Sequence, residues 1–339
     1  MEQVLKHRAE IYGILILWVM AFHINSACYS LSNIPLLSNF IKIGNAGVDV
    51  FLFLSGYCLY LSLNRNSNVV NFFRKRFKRV VVVYLVIAIP FFFIKMAFKA
   101  PSYLISNYLY DISGLSFWLN NCLNVWFVHA IIVFYILTIP FFHLVKKGIG
   151  YSIALLLLLY VLNIIGFLYF PLYEKAAIAY TRIPAYVLGM ILADCHQRYR
   201  IQERLTVIKP IYLSLLSILL IGYLFFFLAI DGRHLILSLS YTTGLYMFYI
   251  TLILPVLSLA LLILKVISKI RWLSSFFATV GKVSLEFYLI HVMLILILQF
   301  QGIQHNFGFW PWIAIPLLTL PLSLAANKLS ELISNKINL

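Results

Sequence analysis

Residues 14–30 read ILILWVMAFHINSACYS, and the reading of this stretch decides the fold. It continues an apolar run that opens near residue 12 and matches the roughly 20 residues needed to cross a ~30 Å hydrocarbon layer. It carries one titratable ring, His23, which is costly in hydrocarbon unless something there bonds it or uses it. Ser26-Ala27-Cys28 hints at a lipoprotein cleavage site, but Asn25 stands where such a site wants Leu. Further apolar runs follow, so the stretch reads as a permanent membrane helix.

Outward from there, similar runs fall near 12–29, 47–63, 80–98, 123–145, 150–170, 178–195, 210–230, 237–264, 276–300 and 312–333. Composition agrees with them. The chain has 339 residues, 63% hydrophobic and 11% charged, with a mean hydropathy of +0.97; a soluble domain carries about 25% charged residues. These features predict an all-α, polytopic integral membrane protein with about ten transmembrane helices. The sixth run contains Arg182 and Pro184, which predicts a short or broken helix. Internal repeats, Pro/Gly/Ser linkers and low-complexity tracts do not stand out, and residues 1–339 read as a single integral membrane domain.

The net charge of +16 is topological. With the N-terminus inside, all of the 26 Lys and Arg except Lys42, Lys95, Lys99, Lys175, Arg182 and Arg233 fall on the cytoplasmic side. That is the positive-inside pattern. It predicts both termini in the cytoplasm and a lipid bilayer, not nucleic acid, as the partner of the basic residues. The four cysteines define no framework. Cys28 and Cys122 lie near outer helix ends, where a bond between them is conceivable; Cys58 and Cys195 read as ordinary small apolar residues.

Once the bilayer accounts for the apolar residues, the polar groups at membrane depth carry the information. His23 lies eleven residues from the inner end of its helix, so at ~1.5 Å per residue it sits ~16 Å up, near the midplane. Asp49 opens the second span at its outer end. Glu286 falls near the midplane of the ninth span, with His291 one to two turns further out, and His129 falls in the outer half of another. Each alone reads well as a polar side chain gluing two helices. As a set, His23, Asp49, Glu286, His291 and Arg182 exceed what packing needs, since packed helices call for small residues. Close His/Cys/carboxylate spacing of the kind that holds a metal is missing, so no metal is expected. In the first basic loop, Arg76 and Arg79 at i,i+3 would share one helix face and suit a phosphate. Topology and attraction to anionic lipid explain the same cluster equally well.

These stretches, in this order, resemble the acyltransferase 3 family of membrane-bound O-acyltransferases. The resemblance is carried by WVMAFHI with its late histidine, by GNAGVDVFLFLSGYCLYLS, by the Arg-x-x-Arg pair in NFFRKRFKR, by VWFVHAIIVFYILTIP and RIPAYVLG, and by GKVSLEFYLIH. It covers about residues 8–300, and the second- and ninth-helix stretches are its most specific parts. The resemblance implies transfer of an acyl group, usually acetyl, from cytoplasmic acyl-CoA to a hydroxyl of an extracytoplasmic sugar. It implies a catalytic His23 and places Arg76 and Arg79 near the CoA phosphates. One departure is clear: the family usually has Arg or Lys eleven positions before the histidine, and here that position is Tyr12. Arg8, fifteen residues before His23, faces a similar direction and is the candidate substitute.

The chemistry fits the residues. A sugar hydroxyl is a poor nucleophile and a thioester is an activated acyl group, so the missing part is a base that titrates near neutral pH. The catalytic candidates are therefore His23, Asp49, Glu286 and His291, and the candidates for binding the acetyl-CoA donor are Arg76, Arg79 and Arg8. The expected protein is a multi-pass O-acetyltransferase of a bacterial cytoplasmic membrane, acting on a surface or lipid-linked glycan. The alternatives are a glycan transporter or flippase that uses the buried polar residues as its pathway, and a non-catalytic assembly partner in which His23 is dispensable. Transporters commonly carry repeats with broken helices in matching positions, which this sequence does not display.

Overall fold

The computed structural model describes residues 2–99, 102–199, 219, 222–223, 241–300 and 308–336. Among these the chain is helical, with no strands. The helices are α1 (Glu2–Lys6), α2 (Arg8–Ala27), α3 (Pro35–Lys42), α4 (Gly47–Arg65), α5 (Val69–Phe77) and α6 (Val83–Lys99). They continue as α7 (Ile105–Ile112), α8 (Leu115–Asn120), α9 (Trp126–Lys146), α10 (Ile149–Tyr169), α11 (Pro171–Lys175), α12 (Ala177–Tyr180) and α13 (Ile183–Arg198). After them come α14 (Tyr241–Ile267), α15 (Arg271–Lys282), α16 (Ser284–Phe300) and α17 (Pro311–Lys336).

Among the described residues, eight helices or helix pairs are long and apolar enough to cross a membrane, and α15 with α16 makes a ninth if that bent pair is one span. The expected span at 210–230 lies almost wholly outside the described residues. The sixth span is broken where the sequence placed the break: α12 ends at Tyr180, Arg182 caps α13, and Pro184 sits in its first turn, where a missing N–H costs nothing. The ninth differs from expectation. Residues 276–300 read as one straight helix, but the chain turns by 77° between α15 and α16. The turn falls at Val283, between Gly281-Lys282 and Ser284, inside a run whose summed hydropathy still reads as one span, so hydropathy does not reveal it. The stretch after α2 differs as well. It reads as an outer loop, yet α3 folds back along α2, where Trp18 Nε1 donates to the Phe40 carbonyl (3.0 Å) and the two rings stack at 4.7 Å. Cys28 and Cys122 are both free thiols.

The chain divides into two compact units. One comprises Met1–Asn45, Phe73–Ile132 and Leu264–Leu339; the other comprises Ala46–Phe72 and Val133–Ile263. In the first unit α2 crosses α15 at backbone contact: a β-carbon at Gly13 would collide with the Phe277 carbonyl, and one at Gly281 with the Ala9 carbonyl. In the second, α4 crosses α13 in the same manner, Gly56 facing the Tyr186 carbonyl and Gly189 the Phe53 carbonyl. Small residues permit this approach, which membrane helices use because lipid supplies no hydrophobic drive to pack them.

Candidate active site

In the first unit, α2 and α16 bring two imidazoles together. His23 Nδ1 lies 2.8 Å from His291 Nε2, and His291 Nδ1 lies 2.7 Å from the Phe287 carbonyl oxygen one turn earlier on α16. This chain of contacts has a direction. A carbonyl only accepts, so His291 Nδ1 carries the hydrogen and donates it to Phe287. Neutral His291 then has a bare Nε2, which accepts from His23 Nδ1–H. Neutral His23 is thereby fixed in the tautomer whose Nε2 bears a lone pair, and no group among the described residues bonds it there. His291 is fully buried and His23 half-buried, so the outer end of the relay is the accessible one. Aromatic rings flank the pair: Phe22 at 5.2 Å and Tyr288 at 6.4 Å from the His23 ring, with Phe127 packed at 5.5 Å on Tyr288.

Below this pair on α16, Glu286 occupies the first turn, where the helix N-terminus favours negative charge. Its carboxylate is completely buried, and neither oxygen has a hydrogen bond among the described residues. Arg79 Nη1 faces it at 3.6 Å while Nη2 of the same guanidinium donates to the Lys282 carbonyl at 2.8 Å. Arg79 belongs to a π-helical turn, Lys78–Val82, that joins α5 to α6. Arg76 stands one turn earlier on α5 and is half-buried. Arg8 is exposed, and its guanidinium lies over the Tyr12 ring, 5.8 Å from the centroid.

Asp49 belongs to the second unit. It lies in the first turn of α4 with Oδ2 3.4 Å from Arg182 Nε, and both side chains are 1% exposed or less. Arg182 Nη1 also donates to the Ile178 carbonyl at 2.9 Å, closing the α12–α13 break. The unit contains a second charged set, in which Tyr60 donates to Asp194 (2.5 Å), Arg198 makes two bonds to the same carboxylate, and Arg198 Nη2 reaches the Lys146 carbonyl at 2.9 Å. Tyr57 pairs with His196 on the same two helices.

Of the residues singled out by sequence, the structure thus joins His23 to His291, Arg79 to Glu286, and Asp49 to Arg182. His129 contacts Tyr84 (3.2 Å) and is not part of any of these three pairs. Sequence reasoning missed Tyr288, although its place three residues before His291 puts it on the same helix face. It also missed the partly buried ion pair Lys95–Asp111, 2.5 Å apart in the first unit, because Asp111 falls in what reads as an outer loop. No group of three or more His, Cys, Asp or Glu positioned to hold a metal occurs among the described residues.

A chain that is helical among the described residues, with eight candidate membrane spans, defines the class as a multi-pass membrane protein, and the directed imidazole pair lies in its first unit. A comparison with family profiles makes this specific. The chain belongs to the acyltransferase 3 family: the profile described as an acyltransferase domain matches residues 13–328, nearly the whole length and parts of both units. No curated protein matched the chain, and no solved structure did. The protein is an acyltransferase with transmembrane helices.

Proposed function

We propose that the chain is a membrane-bound O-acyltransferase that moves an acetyl group from acetyl-CoA to a hydroxyl of an extracytoplasmic or lipid-linked glycan. The observation that carries this reading is the direction of the imidazole relay, which leaves the Nε2 lone pair of His23 as its free end. A hydroxyl held against that nitrogen gives up its proton there as its oxygen attacks the thioester carbonyl carbon. The carbon–sulfur bond then breaks, and the departing thiolate takes the proton from His23 Nε2 to leave as the free thiol. Atoms balance, and His23 is restored. Throughout the cycle His291 keeps its two bonds, so His23 acquires and releases the proton without turning.

The positive-inside pattern supports a cytoplasmic side for the basic segment Arg74-Lys75-Arg76 and for Arg8, in the cytoplasmic membrane of a bacterium on this reading. There they suit the phosphates of CoA, while the thin pantetheine arm reaches up to the relay from below. Arg8 over Tyr12 supports the substitution of the family's usual basic residue, since the guanidinium is held close to the position that Tyr12 occupies. Asp49, held by Arg182, supports the second unit and is not a reacting group. The acceptor enters from the opposite side.

The test uses the purified full chain, membranes from cells lacking the gene, and acetyl-CoA radiolabelled in the acetyl group. Base-labile label in the glycan or glycolipid fraction is the expected result. Membranes that take up no label while the protein remains folded overturn the reading. Uptake of unacetylated glycan into vesicles by the same preparation would instead identify a transporter.

A further inference from the structure

We propose that Arg79 is a positioning residue for the imidazole pair and not a ligand of the donor's phosphates. The inference rests on the acyl-transfer reading and changes one role within it. Spacing alone puts Arg76 and Arg79 on one helix face, but Arg79 sits in the π turn Lys78–Val82. The wider turn takes it out of the α-helical register that would keep the two side by side. Single π turns of this kind are frequent at functional sites.

Its guanidinium is already committed. One nitrogen donates to the Lys282 carbonyl, at the C-terminal end of α15 where the helix leaves carbonyls unsatisfied, and the other faces Glu286 in the first turn of α16. Arg79 therefore bridges the 77° turn from both sides. Glu286 is fully buried with no hydrogen bond among the described residues, so the arrangement depends on the cation that faces it. Withdrawing Arg79 toward a phosphate would strand that carboxylate.

The consequence reaches His23. Phe287, whose carbonyl fixes the hydrogen of His291, directly follows Glu286, and His291 is one turn further on. Whatever sets the first turn of α16 sets where that carbonyl and ring stand. An error of about 1 Å there weakens the bond to His23, and displacements of that size cost on the order of 10²-fold in catalysis.

The experiment measures acetyl transfer to acceptor membranes at varied acetyl-CoA for the purified full-length protein and its variants. Arg79→Gln is expected to lower saturated turnover by about tenfold or more with the acetyl-CoA KM within roughly threefold of wild type. Glu286→Gln should do the same, the double variant should be no worse than either single one, and Arg79→Lys should restore part of the turnover. Arg76→Gln should show the opposite split, a raised KM. A raised KM with undiminished saturated turnover in Arg79→Gln, or losses that multiply in the double variant, overturns the proposal. If Arg79→Gln does not fold, Arg79→Lys and Glu286→Gln carry the same comparison. A wild-type protein that transfers no acetyl sinks the enzymatic reading and this one with it; a working wild type with a phosphate-type Arg79 sinks this one alone.

Discussion

The two units solve the same packing problem and then diverge. Each is built on a pair of helices crossing at glycine, α2 with α15 in the first and α4 with α13 in the second, and each buries charge or titratable rings beside the crossing. In the second unit the polar groups close on one another. Asp49 faces Arg182, Arg182 reaches Ile178, and Asp194 takes bonds from Tyr60 and Arg198. In the first unit one group ends open: His23 offers a bare Nε2, while Glu286 faces Arg79 much as Asp49 faces Arg182, with Glu286 Oε1 and Asp49 Oδ2 both buried and without a hydrogen bond among the described residues. Groups that face one another hold helices together, whereas a reachable ring nitrogen left without a partner is free to take a proton. The contrast predicts that the first unit governs rate and the second governs whether the protein accumulates.

The largest expected effect is at His23. His23→Ala removes the proton acceptor and should lower transfer by on the order of 10²–10⁴-fold, with the amount of inserted protein unchanged. Radiolabel incorporation per folded molecule, counted after size-exclusion chromatography, checks it. His291→Ala should cost less, because the ring that accepts the proton survives and loses only its fixed tautomer. Equal losses would mean that both rings react. Turnover should also fall on acidification, since a proton added to the relay occupies His23 Nε2, the free end.

Next comes the Asp49–Arg182 pair, where the contrast can be broken outright. Removing one member leaves a buried charge unpaired and typically costs about 3–5 kcal/mol. Asp49→Ala or Arg182→Ala should therefore prevent accumulation in the membrane. Replacing both, as Asp49→Leu with Arg182→Met, removes the pair together with its desolvation penalty, and such replacements are often neutral. The double variant should accumulate and retain transfer. If it accumulates but is inactive, Asp49 takes part in the reaction and the second unit is not merely support.

How much of this was legible beforehand depends on the kind of signal. Bilayer crossing is a composition effect summed over about 20 residues, so the apolar runs were readable, while the family was legible only as a resemblance carried by stretches such as GNAGVDVFLFLSGYCLYLS and GKVSLEFYLIH. The Arg182–Pro184 break was readable because a charge and a missing N–H both oppose a continuous helix there. The turn at Val283 was not, because it is set by Arg79, some two hundred residues away, and by the glycine contact with α2. His23, Glu286 and His291 stood out as polar residues at depth, but hydropathy carries no azimuth. Which polar residue meets which depends on crossings between distant helices. The pairing of Arg79 with Glu286 is the plainest case, since the i,i+3 spacing offered Arg79 equally to a phosphate and to membrane topology and carried no sign of Glu286.

The smallest effects sharpen the comparison most, because they perturb the two crossings alike. Gly189→Ala and Gly281→Ala each place a methyl group against a backbone carbonyl, Phe53 in one case and Ala9 in the other. A carbonyl of a helix cannot rotate away as a side chain can, so the helices must separate. Overpacking of this kind typically costs about 1–3 kcal/mol. Thermal unfolding in detergent should show similar losses for the two variants. Their activities should not match. Gly189 lies on α13 beside a closed network, and the molecules of Gly189→Ala that fold should turn over normally. Gly281 is the residue before Lys282, whose carbonyl receives Arg79 at the turn into α16. Displacing it shifts the first turn of the helix that carries Phe287 and His291, so Gly281→Ala should lose turnover per folded molecule by more than its stability accounts for. Equal specific activities in the two variants would show that α15 only packs, and that the position of the imidazole relay is set by α16 alone.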